Sequence, residues 1–577
     1  MADKRPVEEI RTDVLIIGSG AAALRAALEA QEGGIDVLAV IKGEFRRSGA
    51  TFHSVAEVGA FNVPDDAAGA GDSRETFLDD ILTAAQGMAN PRLSAILAQE
   101  AEGAMRYLER YGVNFDRNED GRYLVFRACF SSKPRSHVIQ DHFKPIVKAL
   151  GAEATRRGIK VRDQTMVTNL IVRDGQCYGV HALGRDGEPL VIRAKSVIMT
   201  TGGASQLFEK NLYPPDITGD GYAMAHRAGA YLVNMEFMQA GVSLVSPFIN
   251  LFGNYLWDAH PSLTDRDGRP FVGDYLPDGI TLDAVIQEKE RHFPFSSSDI
   301  SRYVEIAIQK AINDGRGTEL GGVYLDFLDC RLPAVLADKS RSIANMWSTT
   351  YEWYKAKGAD LYRDKVQIAC SAHAINGGLF IDENAQSNVK GLFAAGETAA
   401  GPHGADRLGG NMAMTCQVFG RRAGKAAAER AKAADHPELK GIDDEREVFL
   451  SQFKGSGGHS LAGLRKPLQQ AANRHLLVIR TATGLETFTQ HCRTTREALL
   501  HDTTIESPKD WVHALELNNL CEVGALMAEA ALDRRESRGG HYREDFPTSD
   551  PAQATSIVLD GRHPQGSFRS RIEEIAA

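Results

Sequence analysis

Close to its N-terminus the chain reads Thr12-Asp-Val-Leu-Ile-Ile-Gly-Ser-Gly-Ala-Ala-Ala-Leu-Arg-Ala-Ala-Leu. No other stretch narrows the possible folds as far. Val14 to Ile17 form a short apolar run rich in β-branched residues, the pattern of a strand buried on both faces of a parallel sheet. Gly18 and Gly20 then permit a tight turn, and the alanine-rich segment after them is a strong helix former. In the motif Gly18-x-Gly20-x-x-Ala23, Gly18 serves the turn and Gly20 lets a pyrophosphate approach the backbone. Ala23 lets helix and strand pack closely, and the helix N-terminus offers free N–H groups to phosphate. A second strand is expected at Val37 to Ile41. The carboxylate that reads a ribose in a simple NAD site would follow it, but Lys42 stands there. That substitution argues against plain NAD binding.

At 577 residues the chain exceeds a single ordinary core. The strand-and-glycine texture of the first 240 residues returns at 366–435. Residues 241–365 between them are aromatic, loop-rich and then helical from Arg302 to Asp314. From 436 onward the pattern is mainly helical, as at Trp511 to Leu532, and the last 37 residues read as extended and polar. The organisation expected is one discontinuous α/β domain (1–240 with 366–435), an α+β insert (241–365) and a helical C-terminal domain with a tail (436–577). A net charge of −10 argues against nucleic-acid binding. No run of about 18 apolar residues is present to cross a membrane, and the charged start MADKRPVEEIRTD lacks an apolar signal stretch. These features read as cytoplasmic. The seven cysteines, Cys129, Cys177, Cys330, Cys370, Cys416, Cys492 and Cys521, are far apart with no CxxC pair. Neither a disulfide framework nor a metal or iron–sulfur site is expected within this chain.

Further glycine clusters follow at TTGGAS (200–205), TGDG (218–221) and AAGET (394–398). Together with IIGSGAAALRAAL (16–28), MEF (235–237), GLFAAGETAAGPHGADRLGGN (391–411) and RRESRGGHYREDFP (534–547), they make nearly the whole chain resemble the succinate dehydrogenase, fumarate reductase and L-aspartate oxidase flavoproteins. The resemblance implies a Rossmann-like FAD-binding domain, an inserted capping domain and a helical C-terminal domain. It implies FAD contacts from Gly18, Gly20, Ala23, Lys42, Ser48, Gly49, Gly202, Asp220, Gly396, Glu397 and Asn411. It implies catalytic roles for Arg302 in proton transfer, and for His373 and Arg407 in holding a substrate carboxylate. A planar guanidinium grips a carboxylate through two parallel bonds, and positive charge there stabilises the enolate-like character that develops as hydride moves. Arg302 also admits a plainer reading, an ion pair with Asp299 or Glu305 at the start of a helix.

The departures are informative. The family follows its MEF-like segment with Gln-Phe-His-Pro-Thr, whereas this chain continues Met238-Gln-Ala-Gly-Val-Ser, so the histidine for a second carboxylate is missing. The family's Thr-Glu-Gly substrate segment is replaced near Ser246-Pro-Phe-Ile-Asn-Leu-Phe-Gly. We expect Met238, Ala240, Phe248 and Phe252 to replace half of the dicarboxylate site, with His260 or Arg269 as alternative donors. The family often has Asn where Asp406 stands, and Ser-Leu in place of Met412-Ala413. His53 aligns with a histidine that tethers FAD in succinate dehydrogenases, but non-covalent FAD is the expectation. The function expected is reduction or formation of a C=C bond next to a carboxylate. An L-aspartate oxidase-like amine oxidase is the alternative, as is a flavoprotein chain feeding an iron–sulfur partner.

Overall fold

The computed structural model describes residues 7–53, 58–291, 294–328, 330–339, 341–453, 455–562 and 566–575. Its central sheet grows from β1 (Glu8–Ile17), whose inner residues Val14 to Ile17 are almost fully buried. Helix α1 (Ala21–Glu32) follows at once, and β2 (Val37–Val40) pairs with β1 in parallel, Val14 opposite Val37. Strand β3 (Lys160–Arg162) extends the far edge in parallel. A meander of β4 (Met166–Arg173), β5 (Gln176–Leu183) and β6 (Pro189–Met199) completes the other side, where β6 lies parallel to β1 with Ile17 opposite Met199. The ends of β1, β2 and β6 therefore open on one edge, where the glycine turns sit.

A second, five-stranded antiparallel sheet is centred on β7 (Met238–Ser246) and β8 (Val366–Ile375). The pairing shifts register between Met238 and Ala240, leaving Gln239 in an irregularity opposite the His373 end of β8. Such bulges re-aim side chains. The chain then returns to the first sheet through β9 (Leu392–Ala394), parallel to β6. Long helix α2 (Asn411–Ala433) crosses α1 at close range, because Gly420 and Gly424 face the carbonyl oxygens of Ala22 and Ala26.

The C-terminal part is built on α3 (Ala482–His501) and α4 (Pro508–Asp533). The start of α4 is set by a reciprocal cap between Ser507 and Asp510, with Pro508 where its missing N–H costs nothing. The tail is less extended and polar than expected. Ser556–Leu559 is a fully buried strand, paired with Leu232–Val233 and Ser567–Ser570. The RRESRGGHYRED segment is also buried. Arg534 bonds Glu236 and Glu536, Arg538 bonds Glu536, and Arg480 meets His541 and the carbonyl of Glu236. Among the described residues no helix is long and apolar enough to cross a membrane.

A methyl group added at Gly424 would stand 2.4 Å from the Ala26 carbonyl oxygen. Gly424→Ala is expected to cost about 1–3 kcal/mol through overpacking of α1 against α2. A thermal melt of the holoprotein that does not shift would show that the two helices separate freely.

Candidate active site

A cavity of about 300 Å³ runs from the end of β1 to His373 and Arg407. Its inner end is made by backbone. Gly18 has φ +123°, and a Cβ there would lie 2.4 Å from the Thr200 carbonyl oxygen. Gly20 caps α1 without any side-chain bond, and no acidic residue occupies the first turn. Thr51 Oγ1 takes the Ala21 N–H at 3.3 Å. The wall includes Gly18, Gly20, Lys42, Ser48 and Gly49, then Gly202, Asp220, Gly396 and Glu397. Ala23 and Asn411 stand behind it. Ala23 is buried in the packing of α1, and Asn411 accepts a 2.6 Å bond from Asn62 that braces the Gly410 turn.

Lys42, in the place of a ribose-reading carboxylate, is itself held by carboxylates. Its Nζ lies 2.7 Å from both Asp220 Oδ2 and Glu516 Oε1, and 2.6 Å from Thr218 Oγ1. Burial opposes its charge, but the two acids outweigh that and keep Lys42 protonated well beyond the ordinary lysine range. Asn519 in α4 bonds the other Asp220 oxygen at 2.8 Å.

At the opposite end, Arg407 is pre-set by Gln239. Its Nε donates to Gln239 Oε1 at 3.0 Å and its Nη1 to the Leu408 carbonyl at 3.0 Å, while Gln239 Nε2 donates back to the Arg407 carbonyl at 3.2 Å. His373 stacks on Tyr213 with ring centroids 5.7 Å apart and 11° between planes. Burial, reinforced by the Arg407 charge, pushes His373 down to about 3, so it stays neutral at any working pH. Burial raises the Glu397 carboxyl to about 7, against the 3.0 Å bond from the Ile375 N–H.

Several of the expected site residues do not line this cavity. Arg302 does not line the cavity with His373 and Arg407. Its guanidinium is turned onto the Ser297 carbonyl at 2.5 Å and the Tyr303 hydroxyl at 3.3 Å. Met238, Ala240, Phe248 and Phe252 are not in the wall either. The first two are core residues of β7, Phe252 packs on Trp257 and Phe327, and Phe248 on Trp353 and Tyr354. The far wall is instead Leu251, Gly253, Asn254, Tyr255 and Pro294. His260 faces Asp283, Arg269 lies near Asp267, and neither reaches the cavity. Gln239 was not singled out from the sequence; its position two residues after MEF, in a chain that breaks the family's strand pattern there, was the available signal.

The chain matches the FAD binding domain family model over residues 13–412 and the fumarate reductase flavoprotein C-terminal model over residues 465–566. It is 33% identical to a fumarate reductase (CoM/CoB) subunit of Methanothermobacter marburgensis over 95% of this chain and 97% of that protein. It is 28% identical to L-aspartate oxidase of Vibrio cholerae over 96% and 98%. The solved structure of Mycobacterium smegmatis Sdh1 in complex with UQ1 superposes with a TM-score of 0.81 at 28% identity, covering 98% of this chain and 94% of that one. The chain belongs to the FAD-dependent flavoprotein family of succinate dehydrogenase, fumarate reductase and L-aspartate oxidase, and it is an FAD-dependent oxidoreductase. The cavity fits the cofactor: a glycine turn with no room for a side chain at Gly18, and a helix start with no acidic residue in its first turn to oppose the phosphates.

His53 is exposed and outside the cavity wall, and residues 54–57 of the aligned segment lie outside the described residues. Acid precipitation of the holoprotein is expected to leave a colourless pellet and a yellow supernatant; a pellet that stays yellow would place a covalent link here. Gln239→Leu, which removes the partner of Arg407 Nε, is expected to weaken carboxylate binding about tenfold or more, read from the flavin absorbance change on titration. Unaltered affinity would mean that Arg407 holds its position unaided.

Proposed function

We propose that this protein transfers a hydride equivalent between FAD and a carbon–carbon bond beside a carboxylate, and that its substrate carries one buried carboxylate rather than two. The observation that carries this reading is the charge inventory of the cavity. Among the described residues lining it, Lys42 and Arg407 are the only lysine or arginine, and Lys42 is already bound between Asp220 and Glu516. One guanidinium remains for one carboxylate.

FAD, when bound, supplies the hydride acceptor or donor. The chain's own residues do the rest. Arg407, with Nε and Nη1 fixed by Gln239 and the Leu408 carbonyl, holds the carboxylate in one orientation. His373, neutral and stacked on Tyr213, adds a hydrogen-bonding group without a competing charge. As charge develops on the carboxylate side of the substrate, the Arg407 cation stabilises it in surroundings shielded from water. The Leu251, Gly253, Asn254, Tyr255 and Pro294 wall accepts a larger, uncharged tail. Arg302 carries the proton only if the segment that bears it moves toward the cavity.

Two other readings have specific support. The relative from Methanothermobacter marburgensis is named a fumarate reductase, which favours a dicarboxylate. The Vibrio cholerae relative is named an L-aspartate oxidase, which favours C–N oxidation. The name of the former also marks it as one chain of an assembly, so a cytoplasmic iron–sulfur partner for electron transfer belongs to the proposal. Among the described residues no group of three or more His, Cys, Asp or Glu side chains is placed to hold a metal ion.

Dithionite-reduced holoprotein under anaerobic conditions is expected to be reoxidised by monocarboxylate enoates with apolar tails at least about tenfold faster than by fumarate, since a second charge would be buried without a partner. Equal or faster reoxidation by fumarate sinks the one-carboxylate reading, and rapid reoxidation by air with release of ammonia from an amino acid replaces it with the oxidase. In the same assay Arg407→Gln should lose about a hundredfold in kcat/KM.

A further inference from the structure

Beside Arg407 lies a second carboxyl that the proposed chemistry does not use. Asp406 is almost fully buried. Its Oδ2 accepts bonds from Ser296 Oγ at 2.7 Å and Gln86 Nε2 at 3.1 Å. Its Oδ1 is buried without a hydrogen-bond partner among the described residues, and no ion pair to Asp406 is formed among them. Ser296 belongs to the segment that closes the far wall of the cavity. Pro294 of that segment lines the wall, the Phe295 N–H donates to the Ala240 carbonyl at 2.7 Å, and the Ser297 N–H donates to the Gly539 carbonyl at 2.8 Å.

We propose that Asp406 is a positioning residue: through Ser296 it fastens segment 294–302 to the loop that carries Arg407, and its ionisation loosens that fastening. Ser296 Oγ lies 2.7 Å from Ser298 Oγ, and Ser298 is exposed. The two hydroxyls form a short chain from the buried carboxyl to solvent. When Asp406 is ionised, Ser296 donates to it. When Asp406 is neutral, it donates to Ser296, which turns its own proton to Ser298. The carboxyl therefore exchanges protons with solvent without the segment opening.

The neutral form suits the closed arrangement better. Burial is the main cause, and it raises Asp406 to about 7; Asp299 on the same segment adds to the rise, while the Ser296, Gln86 and Gly540 donors oppose it. The other charged groups nearby are engaged elsewhere. Arg302 bonds the Ser297 carbonyl, Arg407 bonds Gln239, and Arg538 on the tail bonds the Gln86 carbonyl and Glu536. With the segment open and the carboxyl in water, its pKa returns to about 4. Closing then takes up a proton. The fastening is strongest at low pH, weakens as pH rises from about 4 through about 7, and levels off above that. That it tunes carboxylate binding at Arg407 rests on the functional reading above; the fastening itself does not.

The test is hydrogen exchange of the Phe295 and Ser297 amides in the holoprotein, corrected for intrinsic rates, which needs no substrate. Wild-type protection is expected to fall about tenfold or more between about pH 5.5 and about pH 8, while Asp406→Asn shows the same protection at both. Protection that does not change with pH in the wild type, or a fall that persists in Asp406→Asn, overturns the proposal. Should Asp406→Asn not fold, Ser296→Ala decides: because the Ser296 donor opposes the rise of the buried carboxyl, its loss should carry the fall in protection to higher pH, and a pH response identical to the wild type overturns the fastening. With a bound enoate, KM should follow the same profile while kcat does not, so a failure confined to that arm faults the functional reading alone.

Discussion

A side chain at position 18 would stand 2.4 Å from the carbonyl oxygen of Thr200, and the cofactor half of the molecule is arranged around keeping that point bare. Gly18 donates its own N–H to the Val40 carbonyl at 2.9 Å, and Thr200 donates to the Ile17 carbonyl at 3.0 Å. Three parallel strands thus end at one place, locked to each other by backbone. With no room for side chains there, the cavity's inner wall is peptide groups and the start of α1. The start of α1, which has no side-chain cap from Gly20 and no acidic residue in its first turn, is the kind of helix N-terminus that favours a phosphate. The close crossing of α2 over α1 at Gly420 and Gly424 carries the same logic outward: the helices meet backbone to backbone, and the turn between β1 and α1 has no freedom to shift.

Around that rigid frame the segments distant in sequence are joined by buried charge. Lys42 ties the end of β2 to Asp220 and to Glu516 of α4, while Arg534 ties the tail to Glu236 just before β7. Replacing such pairs with well-packed apolar groups is often neutral or stabilising, yet removing one partner costs about 3–5 kcal/mol because a lone charge stays buried. Their effect here is specification. A helical domain docked in another register would strand Lys42, and a misplaced tail would strand Glu236. Each polar junction also lies directly behind a working surface, Lys42 at the inner cavity and the arginine-rich tail behind the loop of Arg407.

This division explains what could be read from the sequence. The glycine turn, the FAD fold and the His373 and Arg407 pair were legible because each depends on residue types that few other environments require: glycine where no Cβ fits, and arginine beside a glycine-rich helix start. Asp220 and Lys42 were legible as cavity residues, but their ion pair was not, since it joins positions far apart in the chain. Gln239 was hidden for a related reason. An irregularity in the β7–β8 pairing aims it at Arg407, and pairing register is not encoded in any one strand. Met238, Ala240, Phe248 and Phe252 were apolar as expected, yet they point into the core of the second sheet; the wall comes from the loop beyond them. The orientation of Arg302 was not legible, since its side chain turns to a local carbonyl and hydroxyl within reach, a choice its motif does not encode.

The charge balance of the cavity also bears on how the site and the segment over it work together. A carboxylate entering beside Arg407 forms a pair in which one charge was already present and already oriented, so its burial adds little net charge. On the one-carboxylate reading proposed above, a second carboxylate at the Leu251 and Pro294 end would meet no lysine or arginine among the described lining residues and would shed water without replacement, a cost of several kcal/mol. Asp406 sits on the same side as that uncompensated end, through Ser296 and Pro294, and it is itself an uncompensated carboxyl. Two negative charges at one poorly solvated place repel, so a neutral Asp406 and an uncharged substrate tail favour the same closed arrangement. On that same reading, the absence of a second lysine or arginine among the described lining residues and the raised Asp406 carboxyl act together: the segment closes best when neither the substrate tail nor Asp406 brings a further negative charge to that end.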